Sequence, residues 1–129
     1  MSTIVIDASA ILAAILGEAG GDAVFDLLDE AIVDTVNVAE VYTYAVLNEL
    51  PTEAIDAFFA DTGIAVVSFD PVQAVTAGQL ASITRKAGLS LGDRSCLALA
   101  KLRHAGVLSA NRLWQRVAGT TGLTITLLR

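Results

Sequence analysis

A chain of 129 residues that is 54% hydrophobic and 17% charged can bury one core without disulfides, so a disordered chain is excluded and a single domain over residues 1–129 is expected. The net charge of −6 argues against a general nucleic-acid binder. The lone Cys96 and lone His104 exclude an internal disulfide, a cysteine-rich zinc site and a multi-histidine metal cluster. No run of about 18 apolar residues occurs, and the stretch from Met1 to Leu16 lacks the basic start of an export signal. A cytoplasmic protein with no membrane span is therefore expected. The mean hydropathy of +0.64 predicts an exposed apolar patch suited to a protein partner or a second copy.

The charge is unevenly laid out. Residues 1–84 hold thirteen of the fourteen acids and no Lys or Arg. Residues 85–129 hold all eight Lys and Arg and one acid, Asp93, which leaves room for a local basic surface.

In chain order, Ile4-Val5-Ile6 reads as a buried strand ending at Asp7, and Ala8 to Leu16 as a helix closed by Gly17. Gly21-Asp22 opens a second helix with Val24, Phe25, Leu27 and Leu28 as its apolar face. Ala31 to Val33 is a strand, Thr35 to Leu47 a helix stopped by Pro51, and Thr52 to Thr62 a helix with Ile55, Phe58 and Phe59 on one stripe. Ala65 to Phe69 is a strand. Asp70 caps Pro71 at the first position of a helix expected to run to Gly88. Ser90 to His104 is a helix, Val107-Leu108 a strand, Asn111 to Val117 a short helix, and Leu123 to Leu127 a last strand. Alternation of short strands with helices predicts a parallel, helix-covered α/β sheet. Gly20-Gly21 lacks the Lys and Ser or Thr of a phosphate-binding loop.

In such sheets ligands sit beyond the carboxyl ends of the strands. Asp7 follows the first strand directly, and equally suits a helix N-cap. Glu40 is the only charged residue between Asp34 and Glu49, on a helix whose neighbouring positions are Val36, Tyr44 and Leu47. A carboxylate there is costly to bury unless a partner or metal holds it, whereas an outward edge of the helix would also accommodate it. Asp93 has capping-box spacing from Ser90, yet it is the only acid after Asp70. Asn111 opens a helix just after a strand, where capping is its ordinary role. Arg85, Lys86, Lys101, Arg103 and His104 lie in last turns and complement the helix dipole. Arg94 and Arg112 lie at helix starts beside Asp93 and Asn111, which suits them to an anion. Trp114 and Cys96 read as core residues. If Asp7, Glu40 and Asp93 converge, they repel one another unless a cation binds. Oxygen donors without sulfur or imidazole suit Mg²⁺ or Mn²⁺, ions that serve phosphoryl chemistry.

Four segments, in this order and spacing, resemble a PIN-domain ribonuclease, specifically a VapC-like toxin of a type II toxin–antitoxin system. They are Val5-Ile6-Asp7-Ala8-Ser9-Ala10, Val36-Asn37-Val38-Ala39-Glu40-Val41, Leu89-Ser90-Leu91-Gly92-Asp93-Arg94 and Leu108-Ser109-Ala110-Asn111-Arg112-Leu113-Trp114. The resemblance covers nearly the whole chain. It implies an α/β/α sandwich around a parallel sheet of four to five short strands. It also implies acids holding one or two Mg²⁺ or Mn²⁺ ions, and cleavage of RNA phosphodiesters by metal-activated water. By position, Asp7, Glu40 and Asp93 match the first three acids of the family, Asn111 falls at the fourth, and Ser9 and Ser109 match small hydroxyl positions beside the site. The family adds a homodimer and a cognate antitoxin. Arg94, Arg112, Ser9 and Ser109 are then expected to meet RNA or antitoxin.

Asn111 departs from the family pattern, offering a neutral carbonyl oxygen in place of an anion. Three explanations stand side by side: a nuclease that manages with three acids, a weakened or inactive module that binds RNA or antitoxin without cleaving, or a substitution made to spare an expression host. A phospho-acceptor receiver domain also places an Asp at a strand end, but that chemistry wants two acids by the first strand and only Asp7 is there.

Overall fold

The computed structural model describes residues 3–129. Met1 and Ser2, which open the expected domain and the stretch read for an export signal, lie outside the described residues. The elements are β1 (Ile4–Ile6), α1 (Ala8–Leu16), α2 (Asp22–Phe25), β2 (Ala31–Asp34), α3 (Thr35–Leu47), α4 (Thr52–Thr62), β3 (Ala65–Val67), α5 (Pro71–Gln79), α6 (Ala81–Thr84), a 3₁₀ turn (Arg85–Ala87), α7 (Leu91–Arg103), β4 (Gly106–Ser109), a second 3₁₀ turn (Arg112–Trp114), α8 (Gln115–Thr121) and β5 (Ile125–Leu127). The strands form one parallel sheet in the order β3-β2-β1-β4-β5.

Side chains alternate across the sheet, as the period of two requires. Val5, Ile32 and Val107 face one core, shared with Ala77, Leu97, Trp114 and Val117 from the helices after β3. Ile6, Val33 and Leu108 face the other, shared with Ile11, Val41, Ile55 and Phe58 from the helices before β3. Two cores back to back make the α/β/α sandwich. The strand order reverses beside β1: β2 and β3 extend one way and β4 and β5 the other. The carboxyl ends of β1 and β4 flank that switch point, where open α/β sheets leave a crevice for ligands.

Local chemistry explains the helix ends. Asp7, Asp34, Asp70 and Ser90 cap α1, α3, α5 and α7 through backbone N–H groups three residues on. The structure corrects several boundaries. The helix expected from Pro71 to Gly88 breaks at Leu80 and ends in a 3₁₀ turn. Gly78 is a weak helix former, and the Thr76 and Thr84 hydroxyls bond back to the carbonyls of Val72 and Leu80. The second helix stops at Phe25. Leu27 and Leu28 follow it in turns, yet still pack on the core. Asp26, Asp29 and Glu30 follow immediately, and acids oppose the dipole at a helix C-terminus. The third strand ends at Val67, and the segment from Asn111 to Val117 is a 3₁₀ turn followed by α8. No helix among the described residues is long and apolar enough to cross a membrane.

Candidate active site

Asp7 leaves β1 at the switch point and is 3% exposed. Its Oδ1 accepts from Ala10 N at 2.9 Å, so it does cap α1. It also accepts from two hydroxyls: Ser109 Oγ reaches Oδ2 at 2.6 Å, and Ser9 Oγ lies 2.8 and 2.9 Å from the two oxygens. Each serine in turn accepts a backbone N–H from the loop after β4, Ser9 from Ala110 and Ser109 from Asn111, both at 2.9 Å. Burial pushes the Asp7 carboxyl up to about 6, against the pull of its bonds from Ser109, Ala10 and Ser9, and Asp93 raises it further.

Asp93 sits in the first turn of α7. Its Oδ2 closes a capping box with Ser90, accepting from Ser90 N at 2.8 Å and Ser90 Oγ at 3.1 Å. Its Oδ1 accepts from Trp114 Nε1 at 3.2 Å. Trp114 is fully buried, as its residue type suggests, but its indole N–H gives it a second task at the site.

Glu40 comes from α3. The helix leaves it exposed at the rim rather than buried, with its carboxylate lying against Gly92, the residue before Asp93. Partial burial raises its pKa, and Asp93, Asp7 and Asp34 add to the rise. Asp7, Glu40 and Asp93, from three separate elements, thus share one electrostatic neighbourhood. Cys96, buried on α7 behind them, feels all of them, with Asp34 as well.

Asn111 lies beside this group. Its Oδ1 accepts from Leu113 N at 3.0 Å and caps the second 3₁₀ turn, while its own N–H ties it to Ser109. Arg94 is half-buried on α7 and has no ion-pair partner among the described residues; the one ion pair found there joins Arg129 to Glu18. Arg112 is exposed and gives its Nε to the Arg129 carbonyl at 3.3 Å.

The sequence reading missed a buried polar network under the acids. Asp34 ends β2 much as Asp7 follows β1, a signal that was there to use. It is 1% exposed and accepts from Asn37 N, Asn37 Nδ2 and Gln73 Nε2. Amide donors, not a cation, hold this carboxylate inside the protein.

No three acidic, histidine or cysteine side chains among the described residues form a ready cage for one metal ion, so the expected acid cluster is looser than a cage. Mg²⁺ does not require one, because it keeps several waters and takes one or two carboxylates. Asp7, Glu40 and Asp93 fit that demand in chemistry: they are oxygen donors that repel one another, and none is ion-paired among the described residues.

Comparison with known proteins bears on the fold. No curated protein matches the chain in sequence. Among solved structures it is similar to DNA-bound VapBC from Salmonella typhimurium, with a TM-score of 0.76 and 16% identity over 100% of both chains. It is also similar to a toxin–antitoxin complex from Klebsiella pneumoniae, with a TM-score of 0.72 and 15% identity over 98% of each chain. VapBC2 from Rickettsia felis, bound to a DNA fragment from its promoter, gives 0.74 and 15% over 97% of this chain and 98% of that one. Identities this low speak for a shared sandwich alone. The PIN domain family model, however, matches residues 4–120, from the first strand into the last helix, and the chain belongs to that family.

Proposed function

We propose that this chain is a divalent-metal-dependent endoribonuclease that acts as the toxin of a toxin–antitoxin pair. One observation carries the reading: the Glu40 carboxylate lies against Gly92, the residue before Asp93, Asp7 follows β1 at the switch point of the sheet, and no cationic side chain pairs with the three acids among the described residues. These three would hold Mg²⁺ or Mn²⁺. A bound ion of this kind supplies neutralisation of phosphate charge and activation of water.

The chain's own residues do the rest. Ser9 and Ser109 pin the Asp7 carboxylate and tie it to the loop after β4. With its pKa about 6, Asp7 is mostly ionised at neutral pH and serves as an anionic donor. Arg94 and Arg112 meet RNA phosphate or the antitoxin. Exposed Val46, Leu47, Val72 and Val75 offer apolar area for a cognate antitoxin or for a homodimer in the cytoplasm.

Asn111 favours a second reading, a PIN module that binds RNA or antitoxin without cleaving. Its carbonyl oxygen is neutral and engaged in a cap, so the fourth position supplies no anion. RNA cleavage with Mn²⁺ and with chelator decides between the two. Cleavage that needs metal and is lost in Asp7→Asn supports the nuclease. Cleavage by Asn111→Asp alone supports the binding module, and none by either form overturns the nuclease reading.

A further inference from the structure

We infer that Asn37 is the positioning residue of this site, one side chain that sets the spacing of Asp7, Glu40 and Asp93. The inference rests on the reading of those three acids as holders of a divalent cation.

Asn37 is 1% exposed, in the first turn of α3. Its Oδ1 accepts from Ala8 N at 2.9 Å, and Ala8 is the residue after Asp7. Its Nδ2 donates to Gly92 O at 3.1 Å, and Gly92 is the residue before Asp93. Glu40 stands three residues further along the same helix, so it projects from the same side one turn on. Its carboxylate lies against that same Gly92. One amide therefore bridges the start of α1, the start of α7 and the helix that carries the third acid.

The amide's orientation is itself enforced. Nδ2 also lies 3.1 Å from Asp34 Oδ1 and 3.1 Å from Ser95 Oγ. Ser95 Oγ gives its own proton to Gly92 O at 2.8 Å. Asp34 is held from its other oxygen by Gln73 Nε2 at 2.9 Å, and Gln73 also donates to Ser95 O at 2.8 Å. Nδ2 turns its two N–H groups toward three acceptors while Oδ1 faces the Ala8 N–H, so the flipped amide would set oxygen against acceptors and N–H against N–H.

The test compares the parent chain with Asn37→Ala, Asn37→Ser and the control Ile55→Val, a buried site on α4 that bonds none of the three acids. Mn²⁺ affinity is read from the free-ion electron paramagnetic resonance signal, and stability from urea unfolding. Asn37→Ser keeps a small polar group and carries the comparison where Asn37→Ala does not fold. The expected result is a fall in Mn²⁺ affinity of about tenfold or more in the folded Asn37 variants, with faster hydrogen exchange at the Ala8 amide. The Ile55 variant loses stability and keeps its affinity. Asn37 variants that bind Mn²⁺ like the parent overturn the inference and leave the metal reading standing. A parent chain that binds no Mn²⁺ overturns both.

Discussion

Trp114 gives its indole N–H to Asp93 Oδ1 at 3.2 Å while Ser90 occupies Asp93 Oδ2, so the carboxylate is held from both sides. A hydrogen bond to a charged group contributes about 1.5–3 kcal/mol. Trp114→Phe keeps an aromatic ring but loses that donor. Urea unfolding should show a stability loss of roughly 2–4 kcal/mol once the small cavity is added. A double-mutant cycle with Asp93→Asn isolates the bond; a coupling below about 0.5 kcal/mol would assign Trp114 to packing alone.

Asp7 makes stability depend on pH. Its folded pKa of about 6 lies above the ordinary 3.8 because burial disfavours the anion. Between those values the folded chain binds more protons than the unfolded one. The stability this confers is fully present below the unfolded pKa and is lost as pH rises through about 6, a change on the order of 3 kcal/mol. Asp7→Asn should flatten the urea midpoint between pH 4 and pH 6.5 while abolishing cleavage. An unchanged slope in the variant would place the titrating group elsewhere.

Gly92 has no Cβ, and one there would occupy the place of the Glu40 carboxylate. The obstructed atoms end a flexible side chain, so Gly92→Ala displaces Glu40 without breaking α7. Alanine in a helix is favoured over glycine by about 0.5–1 kcal/mol. The melting temperature should hold or rise while Mn²⁺ affinity falls, as it should in Glu40→Gln. Unaltered affinity in both would remove Glu40 from the metal-holding set.

Asn111→Asp adds a charge just past the end of β4, at a residue linked to Asp7 through the Ser109 hydroxyl. Like charges repel, so the variant should unfold more readily than its parent in chelator and gain more from Mn²⁺. Cleavage should rise only with metal. Equal Mn²⁺ binding and equal cutting by the two forms would leave Asn111 as the helix cap that its bond to Leu113 already makes it.

Arg94 and Arg112 hold no acid among the described residues. Arg94→Ala should melt at the same or a slightly higher temperature, since a cation in the first turns of a helix is unfavourable by about 0.3–1 kcal/mol. RNA binding should weaken, with the salt slope reduced by about one for each phosphate that the variant no longer neutralises. A stability loss with unchanged RNA binding would make the arginines structural.

Much of the fold was legible from local signals. The β-branched Ile4-Val5-Ile6 and the caps Asp7, Asp70 and Ser90 placed most elements within a residue or two, while the cap Asp34 went unread. The break at Leu80 was not, because Gly78 and the back-bonding Thr84 weaken a helix without announcing where it yields. At the site, Asp7 and Asp93 each invited two readings, helix cap or functional acid. The structure makes Asp7 a cap that also accepts from Ser109, and Asp93 the acid of Ser90's capping box that also accepts from Trp114, so a part in a cap does not exclude a second task. The bonds of Asn37 and Trp114 stayed hidden because they join residues 29, 55 and 21 positions apart. Nothing local encodes such pairings.

Cys96 gives the molecule a built-in clock. It is fully buried on α7, and burial together with the surrounding carboxylates holds its thiol well above the usual range. The thiolate is the form that alkylating reagents attack, so the native chain is doubly shielded, by access and by protonation. A thiol probe reaches Cys96 only when the fold opens around it, and the rate of labelling then counts those openings. The lone thiol shares α7 with Asp93, so anything that cements the acids together should slow the clock, and labelling becomes a readout of the site that needs no substrate.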